Sequence, residues 1–435
     1  MTAFPTNQRL PIEKLWWLHP TWLFAAVAGG TMAMAALQSE NAYGLYGTPK
    51  YIETTHVLMA LGAIAAFAFG RQFAAATGII PEPLPDSREP ALRSWFYLAT
   101  ALTLLGYGVW LVSAVRNGLS IDAVRQFFAG DYASIRDDIL KTIPGVTTCT
   151  QFGIAAAILG TWLFLRGVKG VLLPLAVVVG LAAFRAVLNS ERLAMFEVVV
   201  PAGLVFVRVA ILGRPLPALQ RAGWQLLPVF GVVALLVLFG ATEYFRSWRT
   251  YEKDFDSLAE FTLWRVGGYY TTAHNNGALA WEQRGPWPLP YATLNQFWQL
   301  PLVEHSPFSY HAITGIKPEE IKLLTLDRYG APEFNSDGGL FLPALDFGLI
   351  GFIVFWLVFG FITGRLYREF LVGSLVGMAF YPLVFVTLLE VPRMLYLTHA
   401  RSLAPLAFML LLTLSLRSQP VSADEPFPAK AATTA

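Results

Sequence analysis

Arginines and aromatic rings are the residues of this chain whose types and spacing could do chemistry. Arg185 and Arg192 bracket a short turn in the run RAVLNSERLAMFE, Arg185 to Glu197. A guanidinium is a planar fork that matches phosphate oxygens. Glu191 stands in the turn, and Glu197 follows inside an apolar run. An ionisable group there is costly and is by default a functional candidate. The plain structural alternative is an Arg–Glu pair that locks the hairpin. A second run, EYFRSWRTYEKDFDS from Glu243 to Ser257, carries Arg246 and Arg249 three apart. That spacing puts both on one face of a helix continuing from the apolar segment before it. With Arg265 they extend a cationic surface, or else they anchor a helix end at a membrane boundary, where Tyr, Trp and Arg belong.

Three more runs follow. RVGGYYTTAHNNGALAWEQ, Arg265 to Gln283, offers Tyr269 and Tyr270 as stacking faces and His274 as a group that titrates near neutrality. Its Gly267–Gly268 and Asn275–Asn276–Gly277 allow a tight turn or a close backbone approach. The alternative for this run is a loop packed on helix ends. His274, His305 and His311 lack a metal-site spacing, so no metal is expected. FNSDGGLFLPALDFGLIGF, Phe334 to Phe352, places Asp337 beside Gly338–Gly339 as a cap and turn. Pro343 fits a first helical turn, and a helix dipole favours Asp346 there. A catalytic or acceptor-binding carboxylate is the other reading of these acids. LEVPRMLYLTHARS, Leu389 to Ser402, gathers Glu390, Arg393, His399 and Arg401. Fixed cations beside aromatic faces are what a site needs to hold sugars and phosphates.

The elements that must position these residues are apolar helices. Hydrophobic residues make up 55% of the 435 and charged residues 14%, against about 25% charged in soluble domains. That composition predicts a single polytopic transmembrane domain over 1–435. Ten helices are read, over 16–37, 54–77, 93–115, 145–166, 169–188, 192–212, 224–243, 341–364, 371–391 and 398–416. Lys and Arg in the short loops, such as Arg71, Arg93, Arg166, Arg214 and Arg365, mark one side as cytoplasmic. Both termini then lie inside, and a large loop over 244–340, between the seventh and eighth helices, lies outside. In a bacterium, outside is the periplasm. A connection that long is functional rather than a spacer. Within it, helices are expected over 257–264, capped by Asp256 or Ser257, and over 318–329. The stretch from Asn117 to Pro144 is amphipathic and suits an interfacial helix or a solvated connector. The lone cysteine, Cys149, excludes an intramolecular disulfide. No cleavable signal peptide is read, and the polar tail over 418–435 is expected to be disordered and cytoplasmic.

With these features in order, the chain resembles the bacterial O-antigen polymerase (Wzy-type) family of oligosaccharide repeat-unit polymerases. The resemblance rests on some ten helices, a large loop in the C-terminal half, outer arginines, and DFGLIG, Asp346 to Gly351, leading into a helix spaced by Gly360 and Gly364. It implies an all-α membrane glycosyltransferase of GT-C-like architecture with a mostly helical periplasmic loop. The donor would be an undecaprenyl-diphosphate-linked glycan and the acceptor a lipid-linked repeat unit, in O-antigen or exopolysaccharide synthesis. No cofactor, nucleotide sugar or nucleic acid would take part. The partners implied are these lipid-linked glycans, the bilayer and a chain-length regulator. Such a reaction needs cations for the departing diphosphate, a base for the acceptor hydroxyl, and apolar helix surface open to a polyprenyl chain. Arg185, Arg192, Arg246 and Arg249 suit the first role. Glu191, His399 and Asp337 remain open for the second. Arg265, Tyr269, Tyr270, Arg393 and Arg401 complete the substrate-binding candidates.

Three rival functions fit the same composition: a ligase moving glycan onto another acceptor, a transporter or flippase, and a scaffold for other assembly proteins. Transporters usually show paired halves and helices broken near the midplane. No internal repeat is visible here, and the polar residues concentrate at the outer boundary.

Overall fold

The computed structural model describes residues 15–77, 84, 88–123, 125, 139–141, 143, 145–189, 192–212 and 217–417, and no strand occurs among them. The principal helices are α1 (Pro20–Leu37), α2 (Thr54–Ala76), α3 (Glu89–Arg116), α4 (Thr147–Leu165), α5 (Leu172–Leu188), α6 (Arg192–Ile211), α7 (Leu219–Tyr251), α8 (Leu258–Arg284), α9 (Pro318–Tyr329), α10 (Leu342–Val372), α11 (Leu375–Glu390) and α12 (Ala400–Arg417). Seven of them, α1 to α4, α6, α7 and α10, are long and apolar enough to cross a membrane. α5, α11 and α12 are apolar but shorter. The chain is thus an all-helical membrane protein, with apolar helices at the ten expected places. Residues 190 and 191 of the expected turn, the tail over 418–435, and most of the stretch from 117 to 144 lie outside the described residues.

Local sequence fixes the helix ends. Glu53 and His56 form a reciprocal box at the start of α2. Pro343 opens α10 and Gly373, at φ +81°, closes it. Ser374 then caps α11 by accepting from the Gly377 amide at 3.1 Å.

α2 and α10 pack most closely. A Cβ on Gly70 would collide with the Leu357 carbonyl oxygen, and one on Gly360 with that of Phe67. Small residues let the two backbones touch, as membrane helix pairs commonly do. Behind them the Phe24 ring packs, tilted, against Phe67 at 4.5 Å and against Trp356 at 4.9 Å.

Successive apolar helices alternate in direction, so residues 38–53, 252–341 and 391–399 gather at one end of the bundle, called here the loop face. α7 stands apart from the bundle. At one end Trp17 donates its indole N–H to the Trp224 carbonyl at 2.9 Å. At the other, Gly240 abuts Thr262 and Phe239 meets Tyr269 edge-on at 5.6 Å. Between those ends Val229, Phe230, Val232, Val233 and Val237 are exposed.

Candidate active site

α8 organises the loop face. Ser257 caps it, its hydroxyl accepting from the Glu260 amide at 3.2 Å, so the expected helix start is found. The helix does not stop at Trp264, however. It runs through to Arg284, and Gly267–Gly268 and Asn275–Asn276–Gly277 are helical rather than a turn. The reason is packing. A Cβ on Gly268 would press on Tyr46 and Phe334, and one on Gly277 on Phe341 and the Asp337 carbonyl. These glycines serve close approach, the second of the two uses their spacing allowed. At 1.5 Å per residue the helix is about 40 Å long, and it touches the loop-face ends of α1, α2, α7 and α10 in turn.

Thr271 to Ala280 is buried throughout, although its sequence is polar. Most of its polar side chains find a fixed partner, as buried polar groups usually do, the Thr271 hydroxyl being an exception. Asn275 donates to the Pro49 carbonyl at 2.8 Å and accepts from the Tyr51 amide at 2.7 Å. Asn276 donates to the Phe334 and Ser336 carbonyls at 2.6 and 2.9 Å. His274 lies 2.9 Å from the Thr31 hydroxyl. Burial pushes its imidazole down to about 4, so it is neutral at physiological pH. The expectation that it titrates near neutrality is corrected by its complete enclosure.

The N-terminal half of α8 meets α6, α7 and the 391–399 turn, and there the arginines converge. Glu243, at the loop-face end of α7, is fully buried. Arg192 Nη2 lies 3.2 Å from its carboxylate, Arg265 Nε 3.5 Å and Arg246 Nη1 3.6 Å. Arg265 also binds Glu333 at 2.6 Å, and Tyr251 donates to the same carboxylate at 3.0 Å. Aromatic faces carry the guanidiniums, an arrangement that suits Arg. Arg192 lies 3.5 Å above the Phe239 ring. Tyr269 takes Arg192 and Arg265 at 5.5 Å and Arg393 at 5.6 Å. Arg393 in turn binds Glu390 at 3.1 Å. Burial and the neighbouring Glu390 push the Tyr270 phenol up. Nη1 of Arg192 and Nε of Arg393 are buried donors without a hydrogen-bond partner. Donors in that condition are poised to take anionic oxygens.

A second group sits beside it on α6. Glu197 accepts from Arg401 Nη2 at 2.9 Å and from the Tyr396 hydroxyl at 3.0 Å. Arg401 is therefore held by the intramembrane acid that the sequence marked.

The structure thus gathers Arg192, Arg246, Arg265, Tyr269, Tyr270 and Arg393, with Arg401 one step away, and leaves the other candidates elsewhere. Arg249 is exposed. Near its end α7 contains a π turn over Tyr244–Trp248, which widens the helix and takes Arg249 off the face of Arg246. The expected shared face is corrected on that ground. Arg185 is directed at α4, donating to the Thr150 hydroxyl at 2.6 Å. Asp337 pairs with Lys322 at 2.9 Å, beside the other half of α8. His399 is exposed in the turn before α12. Glu191 lies outside the described residues.

Asp346 differs too. Its carboxylate accepts from the amides of Tyr291, Ala292 and Thr293 at 2.8, 2.9 and 2.6 Å. It is an anchor for the chain before it in sequence, not a helix-dipole acid. Glu243, Glu333, Tyr396 and Phe239 were absent from the sequence-derived candidates. Only Glu243 carried a signal, as an acid closing a long apolar run.

Fold and cluster together define a helical membrane protein with a buried, arginine-rich site at its loop face. No family model, curated protein or solved structure matches the chain.

Proposed function

We propose that the protein is a membrane glycosyltransferase that polymerises undecaprenyl-diphosphate-linked oligosaccharide repeat units at the periplasmic face of the bacterial inner membrane. The observation that carries this reading is the convergence of Arg192, Arg246, Arg265 and Arg393 on Glu243 and Tyr269. Breaking the bond between sugar and lipid diphosphate develops negative charge on the leaving group. Preorganised guanidiniums in a water-poor site stabilise that charge with little reorganisation. The rings of Tyr269 and Tyr270 offer faces to the sugar. The exposed apolar flank of α7 runs along the bilayer to Glu243 and Arg246 at its end, a path suited to a polyprenyl tail. On this reading the three shorter apolar helices complete ten spans of a GT-C-like bundle.

Deleting the gene tests the reaction. The expected result is a single repeat unit still joined to its final acceptor, with the ladder of longer glycans gone from a gel. Lipid-linked polymer that accumulates untransferred would assign the protein to ligation instead.

The orientation has its own test. His305 is exposed on the loop face, and Cys149, the lone native cysteine, is half-buried. His305→Cys in a Cys149→Ala background is expected to react with a membrane-impermeant thiol reagent in intact spheroplasts. Labelling only after lysis reverses the topology and sinks the site with it.

A further inference from the structure

Glu243 sits at the centre of the arginine cluster, yet none of its bonds is tight. Its three guanidinium neighbours stand at 3.2, 3.5 and 3.6 Å, against about 2.7–2.9 Å for a well-formed charge-assisted bond. Its Oε2 is buried and accepts no hydrogen bond. Two of the clustered arginines have an acid other than Glu243, Glu333 for Arg265 and Glu390 for Arg393. Buried donors on Arg192 and Arg393 remain unused. Glu243, with two oxygens and a single charge, is therefore loosely held among guanidiniums that still have donors to spare. The residues that follow it form the π turn over Tyr244–Trp248. Such turns hold one extra residue and recur at functional sites. Relaxing one to an α turn changes the register of the side chains beside it.

We propose that Glu243 is an internal counter-ion that competes with phosphate for the same guanidiniums. This rests on the reading of the cluster as a phosphate site. Clustered, desolvated guanidiniums with no anion repel one another and are costly to bury. Glu243 offsets that cost. A diphosphate brings more oxygens and more charge, and a carboxylate beside it becomes a like-charge neighbour. The carboxylate then withdraws, with the π turn as the element that moves. Affinity for the anion is lowered by the cost of this displacement. That favours release of the leaving diphosphate, a step that commonly limits turnover.

The test uses the purified full chain in detergent, with pyrophosphate as probe and sulfate at matched ionic strength as control. Glu243→Gln keeps the shape and removes the charge. Its pyrophosphate dissociation constant is expected to fall by roughly tenfold, within the usual range of coupling between two ligands. Its melting temperature without pyrophosphate is expected to lie below that of the native protein, and millimolar pyrophosphate to restore it. Equal or weaker pyrophosphate binding by Glu243→Gln overturns the proposal and makes Glu243 a residue that orients the arginines. Equal restoration by sulfate also overturns it, since that is general screening. Should the Gln variant fail to fold, Glu243→Asp keeps the charge but shortens its reach. Pyrophosphate binding tighter than native, by a smaller factor, is then expected, and weaker binding overturns the proposal. Tighter binding by Glu243→Gln, with the glycan ladder intact after gene deletion, would sink the polymerase reading and leave the counter-ion role standing. The opposite pair of results would do the reverse.

Discussion

Arg192→Lys is expected to leave the protein inserted and abundant while polymerisation falls by about 10²–10³-fold, the usual cost of removing one preorganised charge contact. Charge is conserved in this exchange, so the loss comes from shape. The Arg192 guanidinium lies over the Phe239 ring, 3.5 Å from its centre, and reaches Glu243 at 3.2 Å with its Nη2. Its Nη1 is left as a free buried donor. An ammonium is a point charge that can take the place of one of these contacts, and it does not stack. Protein level on a blot and glycan length on a gel, measured together, decide the matter. Full-length polymer from Arg192→Lys removes this residue from the catalytic list. A purely structural pair predicts a different pattern, in which Arg192→Ala lowers abundance and Lys restores it. Arg185 provides the contrast. Sequence puts it level with Arg192, one turn away across the hairpin. Its guanidinium donates instead to Thr150 at 2.6 Å, so Arg185→Lys should act on abundance more than on polymer length.

How far the site was legible depends on the range of the interactions. Apolar helices were legible in place, because length and hydropathy act locally, although α7 runs past the expected 243 to Tyr251 and α10 past 364 to Val372. The caps at Ser257 and Pro318 were legible for the same reason. The arginines stood out because cations at the loop face break the charge asymmetry of the loops. α8 was legible only at its start. Its middle reads as a loop because it is polar, glycine-containing and rich in Asn. It becomes helical because Pro49, Tyr51, Phe334 and Ser336 supply partners from distant chain segments. No local pattern announces those. Glu243 was hidden by a related cause. An acid at a helix end looks like an interfacial residue until arginines from α6 and α8 are brought around it. Arg246 and Arg249 were misjudged because spacing assumes an α-helix, and the π turn changes the angle per residue.

Asp346→Asn is expected to free the chain between α8 and α9 while leaving the bundle folded. Asp346 is almost fully buried. One of its oxygens accepts from the Tyr291 and Ala292 amides, and the other from the amide and hydroxyl of Thr293, at 2.6 and 2.5 Å. It can reach them because Gly348, at φ +65°, breaks the helix just after it, a conformation that favours glycine. Asparagine keeps one acceptor oxygen and turns an NH₂ group on the remaining two donors. Losing two bonds to a charged acceptor, at about 1.5–3 kcal/mol each, costs on the order of 3 kcal/mol or more. That cost falls on one locally opening unit rather than on the whole bundle. Other contacts also hold the segment, among them a hydrogen bond from the Tyr291 hydroxyl to Glu319 at 3.1 Å. The Trp287 amide donates to Leu345, Trp298 to the Pro290 carbonyl and Tyr310 to that of Leu289. Residues 295–298 then pack on α12, where Ser402 reaches Gln296 at 3.4 Å, next to Arg401. Limited proteolysis of native and variant protein is the measurement. New cleavage confined to residues 285–317, with polymer shortened or lost, is the expected pattern. An unchanged digest would show that Asp346 does not hold this segment. Digestion spreading into the apolar helices would make it a residue of the bundle's own stability, acting far beyond the chain it binds.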